Sequence, residues 1–348
     1  MLLHRRRLLS LVAASTLPLA STQAKAAGLR FPHDHGAHPG LAVEWWYLTG
    51  LLGEEHGYQL TFFRVRGPSA MDSGRFSARQ LLIGHLALSD LKQKHQRHDQ
   101  RLARVGFQHV QAAEGDTALR IYDWQLQRKP DGSYLARAAS ATAGFALELE
   151  LAPTQQLLLQ GEQGLSRKGP TSYSHYYSQV QLQTRGRLQL EGRERVVQGR
   201  SWLDHEWTDQ LLEPEAVGWD WLGINLLDGG ALTAFRLRRA DGSTLSTGGS
   251  WRKPDDTQRS FAEGELRFEA QRRWRSPSSK ADYPVEWRLE SPLGPLQLRA
   301  LFEAQEIDAR RSTGLVYWEG ASELLDSQGR RIGLGYLEMT GYAARFSL

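Results

Sequence analysis

Tyr58-Gln59-Leu60-Thr61-Phe62-Phe63-Arg64-Val65-Arg66 alternates apolar with polar side chains over most of its length. Successive residues of a β-strand point to opposite faces, so a period of two describes a strand with one face in a core and one in water. The same period returns in Ala146-Leu147-Glu148-Leu149-Glu150-Leu151 and in 179–183, 187–190, 232–237 and 296–301. Gly, Asp-Gly and Pro-Gly-type turns separate these runs, and helix-period stretches are scarce. The chain is therefore read as all-β and mainly antiparallel. Sheets of that kind escape their exposed edges by closing into barrels or stacking as sandwiches.

The residues ahead of this strand form a unit that comes back later. Trp46-Tyr47-Leu48-Thr49-Gly50-Leu51-Leu52, a turn and Thr61-Phe62-Phe63-Arg64-Val65-Arg66 are echoed downstream. The echo is Trp221-Leu222-Gly223-Ile224-Asn225-Leu226-Leu227, the turn Asp228-Gly229-Gly230, and Thr233-Ala234-Phe235-Arg236-Leu237-Arg238. Each is a Trp-led strand, a turn, and a strand ending in Phe and alternating Arg, as a repeated hairpin opening two similar units would be. The 348 residues exceed what one hydrophobic core usually organises. Two β domains are expected, 27–207 and 208–348, behind a leader at 1–26.

That leader has the form of an export signal: His4, Arg5, Arg6 and Arg7, an apolar run over 8–20, then Ala24-Lys25-Ala26 as a small-x-small cleavage site. The run is short and broken by Pro18, and no later stretch reaches the length of a membrane span. The protein is expected to be periplasmic or secreted, by the Sec or the twin-arginine route, and not integral to a membrane. The leader carries four of the 43 Lys and Arg and none of the 39 acids, so the mature chain is close to neutral. It lacks the basic footprint of a nucleic-acid binder. With no cysteine, disulfides, a thiol nucleophile and a Cys-anchored lipid are all excluded.

Two segments concentrate reactive side chains. The first, FPHDHGAHPGLAVEWWYLTG over 31–50, sets His33, Asp34, His35, His38 and Glu44 beside Trp45, Trp46 and Tyr47. Rings exclude water while imidazoles and carboxyls exchange protons, which suits a pocket wall; aromatic runs at strand ends are also ordinary core. His33-x-His35-x-x-His38 has ligand-like spacing, but histidines beside Gly36 and Pro39 in a loop also serve as hydrogen-bonded linkers, and no metal or other cofactor is expected.

The second joins Ser172-Tyr173-Ser174-His175-Tyr176-Tyr177 to Gly199-Arg200-Ser201-Trp202-Leu203-Asp204-His205-Glu206-Trp207. On strands, Trp202, Asp204 and Glu206 share one face, His205 and Trp207 the other, and His175 pairs with Tyr177. A carboxyl framed by rings has a raised pKa, as a general acid needs, although an Asp satisfied by backbone N–H groups at a bend fits the residues too. There is no HExxH helix, Gly-x-Ser-x-Gly elbow or phosphate loop.

Taken together, FPHDHGAHP…EWWYLTG, SYSHYYS, GRSWLDHEW, VYWEGA and GLGYLEMTGY resemble the AttH and carotenoid 1,2-hydratase-like family across the whole mature chain. The resemblance implies two lipocalin-like antiparallel β-barrel domains in tandem. It also implies an apolar or amphiphilic small-molecule partner. Asp204, Trp202, His175 and Tyr177 match the hydratase pattern in type, with the two aromatics exchanged. On this basis Asp204 is expected to protonate an alkene, Trp202 and Tyr177 to face the cation, and His175 to position water. Glu44, Trp45, Trp46, Tyr47, His35, His205, Glu206 and Trp207 are the expected substrate contacts. Two other functions remain open: a ligand-binding protein serving a membrane transporter, and a hydrolase with Asp204 or Glu206 activating water.

Overall fold

The computed structural model describes residues 28–67, 79–107 and 109–346; the expected export signal lies outside them. Among these residues the only helical piece is a single 3-10 turn, His33–His35. Nearly all the rest of the regular structure lies in two antiparallel sheets, one spanning Val43 to Thr208 and the other Gly218 to Met339. The fold is all-β, as the alternating runs imply, and lipocalin-like, as the resemblance implies.

The strand Phe145–Ala152 follows its period strictly, with Leu147, Leu149 and Leu151 buried and Glu148 exposed between them. His56–Arg66 departs from it, because both of its faces are covered. Leu60 and Phe62 fill the barrel with Trp46, Leu86, Trp124 and Leu149, while Gln59 reaches the Tyr317 hydroxyl of the second sheet. The first sheet curls until its ends nearly meet. Arg101, from His95–Arg104, lies 4.4 Å over the Trp124 ring and donates to the Ala139 carbonyl at 3.1 Å. Gly84 leaves space for that ring, since a Cβ there would sit 2.9 Å from it.

The sequence echo extends to topology. Val43–Leu52 lies between its hairpin partner His56–Arg66 and the late strand Arg193–Thr208. Gly218–Leu226 lies likewise between Ala231–Arg238 and Arg331–Met339, over a core that includes Leu222, Leu232, Trp287, Trp318 and Leu337.

The runs 179–183 and 187–190 prove to be one strand, Tyr173–Leu190, whose register slips between Gln179 and Leu182. Gln181 sits in that bulge at a φ of 53°, the left-handed region that side chains disfavour. Its N–H leaves the ladder and donates to Asn225 Oδ1 at 2.8 Å, while its amide donates to the Leu226 and Gly230 carbonyls. The irregularity thus fastens the sheets together. Tyr47, Trp202, Trp221, Phe235 and Tyr336 pack in the space between them.

Candidate functional site

Asp204 lies within Arg193–Thr208, directly between Tyr47 on Val43–Leu52 and Ser178 on Tyr173–Leu190. Opposed residues of an antiparallel ladder share a face. Asp204 therefore has Trp202, Glu206, Trp45, Tyr47, Tyr176 and Ser178 on its own side, turned toward the second sheet. Trp219, Trp221, Phe235 and Glu338 of that sheet complete a ring-lined cavity of about 720 Å³, counted to its open mouth. The linker beyond Thr208 and the C-terminal segment wall one side through Leu211, Leu212 and Phe346. Phe346 packs on Trp219 at 4.5 Å and bonds through its N–H to the Val217 carbonyl, and Arg345 donates to the Pro214 carbonyl at 2.6 Å.

Asp204 is 3% exposed. Its Oδ1 accepts the Ser178 hydroxyl at 2.5 Å and the Trp202 indole N–H at 2.6 Å; its Oδ2 accepts the Tyr176 hydroxyl at 2.7 Å. The Trp221 indole N–H donates in turn to the Tyr176 oxygen at 3.1 Å. Burial outweighs these three donors, which favour the charged form, and pushes the carboxyl up to about 7. Glu206 accepts the Ser174 hydroxyl and pairs with Lys168 at 2.8 Å, whose ammonium stands 4.7 and 4.3 Å from the ring centres of Tyr176 and Phe235.

Two further acids complete the electrostatics. Burial pushes Glu338 up to about 7 against the Trp219 indole N–H at 3.1 Å. Behind Tyr47, burial holds Glu319 well above the usual carboxylate range while it accepts the Tyr47 hydroxyl. The space between the sheets thus holds three carboxyls whose charged forms burial disfavours, set among aromatic rings.

This geometry divides the residues that the sequence groups together. Asp204 lines the cavity with Trp45, Tyr47 and Glu206, and Trp202 touches the site through its N–H bond to Asp204 Oδ1. His175 and Tyr177 do not join them, because their ladder partners are Trp207 and His205, and they occupy the opposite face. Glu44, Trp46, His35, His205 and Trp207 are on that far side as well. The two-apart rule sorts one strand, but register decides which residues of the neighbouring strand share its face, and a shift of one exchanges Tyr177 for Tyr176. Sequence reasoning misses Tyr176, Ser178, Lys168, Trp221 and Glu338. Trp221 faces Glu338 in the second sheet as Trp45 faces Glu206 in the first, a match offset by one residue from the echo, which sets Trp221 against Trp46 and so does not disclose it.

On the far face, the buried Glu44 accepts the His38 backbone N–H at 2.8 Å, His38 Nδ1 at 2.7 Å, His205 Nε2 at 2.8 Å and Arg64 Nε at 2.7 Å. Burial works to raise this carboxyl, and the bonds and charges of His205 and His38 overcome it, holding Glu44 at about 2. The Tyr177 hydroxyl lies 2.7 Å from His35 Nδ1 and 3.2 Å from His205 Nδ1, and burial takes His35 down to about 3. His35 therefore leaves the His33-x-His35-x-x-His38 set. Among the described residues, the groups able to converge on a metal are His33, Asp34 and His38, and His38, Glu44 and His205.

A sequence profile described as AttH-like matches residues 22–342. Among solved structures, the chain is similar to a Nitrosomonas europaea protein assigned as AttH, at 40% identity and a TM-score of 0.84, over 91% of this chain and 98% of that one. It is similar in fold to kievitone hydratase from Nectria haematococca, at 13% identity and a TM-score of 0.70, over 91% and 94% of the chains. CghA is a further fold relative, at 12% identity and a TM-score of 0.51, over 89% and 90%. A comparison with curated proteins finds none that matches. Among the described residues, no helix is long and apolar enough to cross a membrane.

Proposed function

The chain belongs to the AttH-like family, and on that premise we propose that it is an exported hydratase-like protein in which Asp204 protonates a carbon–carbon double bond of an apolar substrate. One observation carries this reading: a buried carboxyl that keeps its proton up to about pH 7 lines a chamber walled by Trp45, Tyr47, Tyr176, Trp221 and Phe235. Oδ2 accepts a single hydrogen bond against two on Oδ1, and it is the oxygen that carries the acidic proton. Its transfer forms a C–H bond at one alkene carbon and leaves positive charge on the other. Ring faces attract such a cation by up to about 2 kcal/mol when water is excluded. The Trp202 N–H and Ser178 hydroxyl stabilise the carboxylate left behind. Water then forms the C–O bond and gives up a proton that restores Asp204, so one water has been added in total.

The fold shared with kievitone hydratase supports hydration as the reaction class. His175 and Tyr177 have no part in this mechanism, and the rings of Tyr176 and Trp221 face the cation instead of Tyr177. The test is incubation with a panel of isoprenoid alkenes in heavy-oxygen water, read by mass spectrometry. Asp204→Asn should lower turnover by a factor of about a hundred or more while the protein still unfolds cooperatively. Unchanged turnover would eliminate the assignment.

A second reading draws on the same chamber, closed on one side by Leu211, Leu212 and Phe346: a periplasmic carrier that passes an apolar ligand to a membrane transporter. A carrier binds such alkenes one to one without converting them, and Asp204→Asn leaves its affinity unchanged. N-terminal sequencing of the exported protein tests cleavage near Ala26.

A further inference from the structure

We propose that Asp34 and His38, with His33 beside them, bind a divalent transition-metal ion on the far side of the first sheet from the cavity. The tautomer of His38 is the starting point. Its Nδ1 lies 2.7 Å from Glu44 Oε1, and Glu44 is a carboxylate also held by Arg64 and His205. Nδ1 is therefore the donor to Glu44, and Nε2 is the nitrogen left to face a ligand.

That nitrogen faces Asp34. Nε2 lies 3.4 Å from Asp34 Oδ1, whereas Asp34 Oδ2 is committed to the Arg30 backbone N–H at 2.5 Å. A charged hydrogen bond between imidazole and carboxylate closes to about 2.7–2.9 Å. Two ligands of one tetrahedral ion, each about 2.0–2.1 Å from it, stand roughly 3.3–3.4 Å apart. The observed gap matches the spacing of two ligands on one ion.

The surroundings match a built site. Metal-bound histidines usually donate their other N–H to a carboxylate, as His38 does to Glu44. The His38 ring is also clamped face to face on Trp207, 4.1 Å between centres and 8° between planes. His33 Nδ1 is hydrogen-bonded to the same Asp34 oxygen at 2.7 Å, and its half-exposed side chain would give up that bond to turn a ring nitrogen to the ion. Ligand atoms of all three residues lie within 4.8 Å of one another. A set of imidazoles and one carboxylate suits zinc, cobalt, nickel or copper(II) rather than calcium or magnesium. The ion would clasp the segment around the His33–His35 turn to the barrel, apart from the chemistry at Asp204. No metal is expected from sequence alone, because spacing does not disclose the His38 tautomer.

The experiment is titration of the chelator-stripped, purified protein with Co²⁺, followed by displacement with Zn²⁺. One Co²⁺ per chain should bind, with visible d–d bands of a low-coordinate nitrogen and oxygen site, and raise the thermal midpoint. Asp34→Asn combined with His38→Gln should abolish the bands, and the exposed His33→Ala should weaken binding about tenfold or more while near-ultraviolet circular dichroism stays native. Folded protein that takes up no Co²⁺ or Zn²⁺, or bands that survive in the double variant, would overturn the proposal. So would NMR showing both His38 nitrogens protonated at neutral pH in metal-free protein, an imidazolium held between two carboxylates. Loss of alkene turnover at Asp204 bears on neither result.

Discussion

Replacing Asp204 with Asn should stabilise the protein at alkaline pH by an amount that vanishes in acid. The carboxyl ordinarily titrates at 3.8 and here at about 7, a shift of about three units. At 1.36 kcal/mol per unit, ionising it inside the fold costs about 4 kcal/mol. Below pH 4 both folded and unfolded chains hold the proton, and there is no penalty. Between about pH 4 and 7 the unfolded chain releases it while the folded protein keeps it, so the unfolded state binds fewer protons and stability falls as pH rises. Above 7 the whole penalty is in force. Asn cannot ionise, and its other effects on packing and hydrogen bonding are largely independent of pH. Glu338, also near 7, imposes a slope of the same sign on both proteins. Urea unfolding followed by tryptophan fluorescence across this range measures the gap between variant and wild type. It should widen by up to about 4 kcal/mol toward alkaline pH, and a gap that stays constant would refute the reasoning.

Two further substitutions probe the geometry. Tyr176→Phe removes a donor that favours the Asp204 carboxylate, so its titration, followed by the infrared carboxyl band, should move above 7, whereas Tyr177→Phe on the opposite face should leave it in place; a shift in the second and none in the first would reverse the assignment of faces. Asn225→Ala strands the buried Gln181 N–H and should cost about 1–3 kcal/mol in thermal or urea unfolding, with a negligible loss arguing that water or backbone movement satisfies the group.

Much of the fold is legible because a period of two is a local property. Leu147, Leu149 and Leu151 declare their side whatever lies beyond the strand. The repeated Trp-led hairpin announces the shared topology of the sheets, since Val43–Leu52 and Gly218–Leu226 occupy matching places. Asp204 and Trp202 are legible as a pair for the same local reason. Their companions are not, because Tyr176 and Tyr177 differ only by register, which is fixed by pairing far along the chain. The bulge at Gln181 is equally hidden, being paid for by contacts to Asn225, Leu226 and Gly230 in the other sheet. Glu338 and Trp221 gain meaning only when the sheets face each other.

Phe346 forms part of the cavity wall and rests on Trp219, held by one backbone bond to the linker. Anything fused or labelled just beyond it therefore pulls directly on the cavity wall. An affinity handle placed there would disturb any binding assay of this cavity, whereas a spin label or fluorophore at the same place would report changes at the wall.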